Sequence, residues 1–301
     1  MLRQLSLVSA LALAGTVAAL PALAQTVTVE TIRGPVEVQT NPETIAVFDL
    51  AALDSLDALG LTTDGVVTPL YLDYLADAAE GAEIVGTLFE PDYEAIAALA
   101  PDLIIAGGRS YEAVPQLAKL APTIDMTIWE DPVNQALARL DAYGAIFGKK
   151  AEAAELRAGF EIKLEAARAA AADEGKALIV MTNGPKVSAY GASGRFGWLH
   201  SELGLPEVME DVEQATHGEA ISFEFIKDAN PDVLIVVDRL AAIGQDGESA
   251  QATLDNALVH DTNAWKTGKV IYIDSAALYI AGGGIQSMNL ILDQFLEAFG
   301  G

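Results

Sequence analysis

A 17-residue pattern occurs twice in this chain, with its two copies 130 positions apart. The first copy runs from Tyr93 to Arg109 and the second from Phe223 to Arg239. Each copy opens with an aromatic residue and glutamate, carries Pro-Asp at its ninth and tenth positions, and ends in arginine. The Pro-Asp pair predicts the end of a helix, and the apolar run after it suits a buried strand. The repeat therefore predicts two similar halves of mixed helix and strand.

The arginine of each copy falls just after the predicted strand. In open α/β sheets, ligands bind at the carboxyl ends of the strands. Arg109 and Arg239 therefore indicate a two-lobed protein that binds an anion in the cleft between its lobes. A duplication whose arginines make only surface salt bridges is the alternative.

The first 24 residues predict a secretory signal peptide. Arg3 supplies a positive start, an apolar stretch runs from Leu5 to Leu20, and small residues end at Ala24. We expect cleavage before Gln25, which leaves 277 residues. The chain has no cysteine, so neither a lipid anchor nor a disulfide can form. A soluble periplasmic protein is expected.

The length of the chain constrains its number of domains, and its net charge constrains the kind of partner that it binds. A mature chain of this length suits two domains with real cores. The formal charge of −26 becomes −27 once Arg3 is removed. This charge argues against nucleic acid or an anionic membrane surface as a partner. We expect a monomer.

A segment between the two halves has a different composition. Residues 149–174 contain no proline and a single glycine among Ala, Glu, Leu, Arg and Lys, which predicts one helix of roughly 39 Å. The predicted fold class is α/β, with two βα-rich lobes joined by one long rigid helix and a ligand cleft between them. The predicted lobes are residues 25–148 and 175–301. A rigid link predicts limited closure on ligand binding.

Five residues occupy predicted loops or strand ends where a ligand could bind. They are Arg109, Arg195, Arg239, His217 and Tyr279. Each also has an ordinary explanation, because a loop histidine beside glycine commonly serves as a cap and a loop tyrosine commonly packs.

Seven short stretches together resemble one family over nearly the full mature length. They are residues 33–38 (RGPVEV), 47–49 (VFD), 86–92 (GTLFEPD), 194–197 (GRFG), 216–218 (THG), 238–244 (DRLAAIG) and 282–284 (GGG). The chain resembles periplasmic siderophore-binding proteins of the catecholate and petrobactin uptake type, which belong to the helix-linked binding proteins of ABC transporters.

The resemblance implies a role for each candidate residue. Arg109, Arg195 and Arg239 would hold the catecholate oxygens of a ferric siderophore. His217 and Tyr279 would bind Fe(III), which reaches the protein as cargo and not as an intrinsic cofactor. A second implied site is the pair Glu94 and Glu224, one on each lobe, which would dock onto arginines of the membrane permease.

The chemistry of this set is consistent. Fe(III) prefers anionic oxygen ligands. A bis-catecholate complex leaves two coordination positions open, which a histidine and a tyrosine could close. Arginine suits the outer role, because it stays charged and presents a planar fork of donors to paired oxygens.

Three other functions stay open at this stage. A zinc or manganese uptake protein needs several histidines and carboxylates around one ion, and the chain has three histidines. Haem or cobalamin could bind to the same scaffold. A siderophore hydrolase would need a catalytic serine, but residues 191–194 (GASG) do not form the nucleophile elbow of that class, so we expect no enzyme.

Overall fold

The computed structural model describes residues 25–209 and 218–300. Its strands are β1 (Thr26–Thr31), β2 (Gly34–Gln39), β3 (Ile45–Val47), β4 (Gly65–Val66), β5 (Glu83–Ile84), β6 (Leu103–Ala106), β7 (Thr123–Asp125), β8 (Ala177–Asn183), β9 (Lys186–Tyr190), β10 (Glu219–Ile221), β11 (Val233–Asp238) and β12 (Val270–Tyr272). Its helices are α1 (Leu50–Ala58), α2 (Tyr93–Leu99), α3 (Val114–Leu117), α4 (Pro132–Ile146), α5 (Lys150–Ala171), α6 (Trp198–Ser201), α7 (Phe223–Ala229), α8 (Arg239–Ala242), α9 (Ala250–Leu254), α10 (Ala257–His260), α11 (Asn263–Thr267), α12 (Ser275–Tyr279) and α13 (Ile285–Phe299), with short 3-10 turns at Asp73–Leu75 and Gly108–Ala113.

The N-terminal lobe is built on a five-stranded parallel sheet with the order β5-β4-β3-β6-β7. The chain builds outward from β3 to β5, then returns to the other side of β3 with β6. The strand order therefore reverses between β3 and β6. Such a switch point opens a crevice at the carboxyl ends of the strands, where ligands bind in doubly wound sheets.

The C-terminal lobe repeats this plan with the order β10-β9-β8-β11-β12. Here β8, β11 and β12 are parallel, while β9 and β10 run antiparallel to their neighbours. The reversal falls between β8 and β11. Each of the two five-stranded sheets therefore has a switch point, between β3 and β6 in one lobe and between β8 and β11 in the other. The repeated arginine follows β6 in the first lobe and β11 in the second.

The sequence repeat is also a structural repeat. Helices α2 and α7 have seven residues each, and each is followed by a residue in the left-handed conformation, Ala100 or Asn230. Strands β6 and β11 follow, fully buried over nearly all their length, as their apolar runs predicted.

Helix α5 joins the two lobes and has 22 residues, which gives a length of roughly 33 Å. It ends earlier than the sequence predicted, because Ala172 is extended and Asp173 has a positive φ. Its apolar stripe, which includes Phe160, Leu164 and Ala167, is buried. The stripe packs against α4 and α13. The expected α/β architecture with two lobes and a long linking helix is confirmed, whereas the predicted domain boundaries stay a prediction.

Helix α13 ties the end of the chain back to the N-terminal lobe. It packs against α1 and α4 as well as α12 and β12. The carboxylate of Asp54 in α1 is completely buried and accepts hydrogen bonds from the backbone N–H groups of Gln286 (2.7 Å) and Ser287 (2.9 Å). Asp54 thus caps a helix from the far end of the sequence. A side chain at Gly284 would collide with it, since a Cβ there would lie 2.4 Å from the Asp54 Cγ.

Hairpin β1–β2 is anchored to the same lobe by two arginines. Buried Arg139 donates to the Glu30 carbonyl at 2.6 Å, and Arg33 forms an ion pair with buried Asp125 at 2.6 Å. Within residues 25–209 and 218–300, no helix is long and apolar enough to cross a bilayer. The predicted signal peptide, residues 1–24, lies outside the described residues.

Candidate functional site

Arg109 lies in the turn that follows β6, at the switch point of the N-terminal sheet. Its guanidinium reaches across to the other lobe, where it donates to the carbonyl oxygens of Tyr279 (2.7 Å) and Ile280 (3.3 Å). One predicted site residue therefore bridges the cleft.

Arg239 occupies the matching position in the second lobe, as the first residue of α8 after β11. The side chain of Asp238 caps this helix by accepting from the Ala241 N–H at 3.1 Å. The Arg239 guanidinium donates to the Asn183 side-chain oxygen at 3.3 Å, and Asn183 ends β8. Arg239 and Asn183 thus mark the two sides of the second switch point.

Arg195 belongs to the glycine-rich loop after β9. The loop is folded tightly, because a Cβ at Gly197 would lie 1.8 Å from the Ala192 carbonyl oxygen. Arg195 donates to the Tyr279 carbonyl at 2.6 Å. The side chain retains exposed surface, yet the cavity walls desolvate the guanidinium. This desolvation, together with the nearby charge of Arg109, lowers the pKa of Arg195.

The three arginines meet at Tyr279, the last residue of α12. The guanidinium carbons of Arg195 and Arg109 lie 4.1 Å and 5.0 Å from the centre of its ring. Burial alone would raise the pKa of the phenol. A hydrogen bond from Arg239 and the positive charges of all three arginines outweigh burial and lower the pKa of Tyr279. The site therefore stabilises the phenolate of Tyr279 relative to that of a free tyrosine, and phenolate is the form of tyrosine that binds hard metal ions.

A cavity of about 320 Å³ opens beside this cluster. Its lining contains three predicted residues, Arg195, Arg239 and Tyr279, together with five that sequence reasoning missed: Met181, Asn183, Lys186, Ser188 and Tyr190. The missed residues lie on β8 and β9. Because side chains alternate between the two faces of a strand, every second residue of these strands could have been predicted to share one face. Tyr190 stays neutral, since burial raises its pKa to about 12.

Of the three histidines of the chain, the structure describes His200 and His260. His217 lies outside the described residues. His200 is buried with its Nδ1 2.9 Å from the Leu205 carbonyl, while His260 pairs with Asp255 at 2.8 Å and stacks on Trp265. Across the described part of the chain, no group of three or more His, Cys, Asp and Glu residues could hold a metal ion.

Glu94 and Glu224 occupy equivalent exposed positions in the first turns of α2 and α7. Asp92 and Ser222 immediately precede these helices, and their side chains cap the first-turn N–H groups. Each carboxylate interacts favourably with the positive N-terminal end of its helix dipole. Because both carboxylates are exposed, they also remain accessible to a partner.

The fold and the cavity together define a two-lobed binding protein with a basic cleft. Comparison with known proteins agrees, because residues 45–277 match the family model of periplasmic binding proteins. The chain belongs to the periplasmic binding protein family. This is a family of substrate-binding proteins, so the prediction that the chain is not an enzyme is confirmed.

The relatives confirm the resemblance stated from the sequence. The petrobactin-binding protein YclQ of Bacillus subtilis is 34% identical over 267 residues, covering 86% of this chain and 83% of that protein. Its crystal structure superposes with a TM-score of 0.84 at 33% identity, over 91% of this chain and 99% of that one. The ferric-anguibactin-binding protein FatB of Vibrio anguillarum is 30% identical, over 93% and 92% of the two chains. The crystal structure of the periplasmic catecholate-siderophore binding protein VctP of Vibrio cholerae superposes with a TM-score of 0.84 at 29% identity, over 91% of this chain and 100% of that one.

Proposed function

We propose that this protein captures a ferric catecholate-type siderophore in the periplasm and delivers it to an ABC permease of the inner membrane. The observation that carries the proposal is the convergence of three guanidinium groups, from both lobes, on one tyrosine. Siderophore binding by YclQ, FatB and VctP, as their names state, supports it.

The charge of the ligand matches the charge of the cleft. A ferric tris-catecholate carries three negative charges and a ferric bis-catecholate carries one. Arginine remains charged in either case and can donate two parallel hydrogen bonds to paired catecholate oxygens. In this proposal Arg109, Arg195 and Arg239 exchange their present bonds to carbonyl and amide oxygens for bonds to the ligand.

A tetradentate siderophore leaves two coordination positions of the iron unfilled. We propose that Tyr279, as phenolate, and His217 fill them. The lowered pKa of Tyr279 supports its part. The proposed role of His217 as an iron ligand is supported by its residue type and by its place in the family motif of residues 216–218 (THG).

Delivery requires a surface that the permease recognises. We propose Glu94 and Glu224 as that surface, one carboxylate on each lobe, with residues 25–148 and 175–301 as the lobes and residues 149–174 as the link. Their equivalent positions in the repeat allow the permease to sense the separation of the lobes.

Ligand titration tests the proposal. Quenching of tryptophan fluorescence should report tight binding of ferric catecholates and weak binding of ferric hydroxamates, haem and cobalamin, with Trp129, Trp198 and Trp265 as reporters. Preferential binding of haem or cobalamin would replace the proposal by one of the alternatives. No binding of any ferric catecholate would remove it.

A further inference from the structure

Strands β8 and β9 form one wall of the basic cavity, and their register determines which side chains face it. Asn183 pairs with Lys186, and Met181 pairs with Ser188. Because successive side chains of a strand alternate between faces, Lys186, Ser188 and Tyr190 share one face of β9. All three line the cavity.

Lys186 adds a cation that the arginine cluster does not include. Its Cα lies about 13 Å along the strand from that of Tyr190. Lys186 pairs across the two strands with Asn183, whose side-chain oxygen accepts a hydrogen bond from Arg239, so Lys186 lies on the side of the cavity beyond Arg239. Glu219 pairs with Ala189 across the β9–β10 register, so its side chain belongs to the opposite face of the sheet.

The lining of this cavity is unusual for so acidic a protein. The chain has 43 acidic and 17 basic residues, yet Arg195, Arg239 and Lys186 line the cavity and no Asp or Glu of the described residues does. A second cavity, of about 350 Å³, shows the reverse pattern: Asp238 and Asp274 line it and no described Lys or Arg does. Clustered cations without a carboxylate favour an anionic ligand.

We propose that Lys186, with Ser188 and Asn183, forms a second anion subsite that recognises an anionic oxygen on the siderophore beyond its first two iron-chelating catechols. This inference rests on the proposed function. Lys186 supplies the charge, and the Ser188 hydroxyl and the Asn183 amide supply neutral donors. A backbone carboxylate has this chemistry, and so does a third catecholate, which loses its two protons when it binds the iron.

Three synthetic ferric chelates on one linker separate the possibilities. The first carries two catechols and a carboxamide, the second replaces the carboxamide by a carboxylate, and the third replaces it by a further catechol. Fluorescence titrations at fixed ionic strength should show that the wild-type protein binds at least one of the anionic probes about tenfold more tightly than the carboxamide probe.

The variant Lys186→Gln should lose that preference while its affinity for the carboxamide probe stays within about twofold. Lys186→Arg should retain the preference. Lys150→Gln removes the same charge from the exposed start of α5 and should also retain it. Loss confined to the carboxylate probe or to the third-catechol probe identifies the group that the subsite recognises.

An unchanged preference for the anionic probes in Lys186→Gln would overturn the inference, and so would either of two further results. The first is an equal loss of affinity for all three probes in Lys186→Gln. The second is a wild-type protein that binds all three probes equally. If the wild-type protein binds none of them, the proposed function fails first and the subsite fails with it.

Discussion

Tyr279 is the residue at which the electrostatics of the site can be measured directly. Its pKa is lowered because Arg239 donates to it and three positive charges outweigh the effect of burial. An alkaline titration of tyrosinate absorbance should therefore show one phenol ionising below the ordinary range. This early step should disappear in Tyr279→Phe and move to higher pH in Arg239→Met.

Tyr93→Phe is the matched control, because Tyr93 is exposed at the start of α2. The early step should persist in that variant. An early step that survives in Tyr279→Phe would assign the perturbed phenol elsewhere and contradict the convergence of the arginines.

At the scale of the element, the loop of Arg195 depends on close backbone packing at Gly197. A methyl group there would overlap the Ala192 carbonyl oxygen. Gly197→Ala should lower the free energy of unfolding by roughly 1–3 kcal/mol and weaken ferric bis-catecholate binding at least tenfold.

Gly159→Ala makes the same chemical change in open space on the exposed face of α5. It should raise the free energy of unfolding by roughly 0.5–1 kcal/mol, because alanine is the better helix former, and leave binding unchanged. Urea denaturation and ligand titration measure both variants. Equal stabilities in the two would show that the loop relaxes freely.

The junction of α1 and α13 is a second element with a measurable consequence. Burial raises the pKa of Asp54 to about 6, although Tyr74, Ser287 and Gln286 all donate to the carboxyl group. The native protein therefore holds this proton more tightly than the unfolded chain, whose Asp54 has a pKa near 3.8. The contribution of Asp54 to the free energy of unfolding should fall as pH rises from about 4 to about 6, by no more than roughly 3 kcal/mol, and stay constant above.

Urea denaturation of the wild-type protein and Asp54→Asn across this range isolates the effect. The stability difference between wild type and variant should shrink or change sign with rising pH. A difference that grows with pH would mean that the folded state prefers the ionised carboxyl.

At the scale of the whole molecule, the sequence predicted which residues form the site better than it predicted the contacts among them. The repeat placed Arg109 and Arg239 at strand ends, because periodicity and Pro-Asp breaks are local signals. The contact of Arg109 with the Tyr279 carbonyl depends on how the lobes face each other, which no local pattern encodes. The same reason explains why Lys186 and the capping of α13 by Asp54 were missed.

Transport tests the proposed communication between lobes and permease. Reversing both charges, as Glu94→Arg with Glu224→Arg, should abolish siderophore-dependent uptake in cells while ferric catecholate binding by the purified protein stays unchanged. The pair Glu80→Arg with Glu248→Arg makes the same change of charge at other exposed positions, one on each side of α5, and should transport normally. Uptake that survives the first pair would place the docking surface elsewhere.

The central claim is that arginines from both lobes hold one ferric catecholate, and affinity measurements on three single variants test it most directly. Arg109→Met, Arg195→Met and Arg239→Met should each weaken ferric bis-catecholate binding by roughly tenfold or more, since each removes a charged hydrogen bond of about 1.5–3 kcal/mol. Arg109 is decisive, because it is the one member of the triad contributed by the N-terminal lobe. Unchanged affinity in Arg109→Met would contradict a site shared between the lobes.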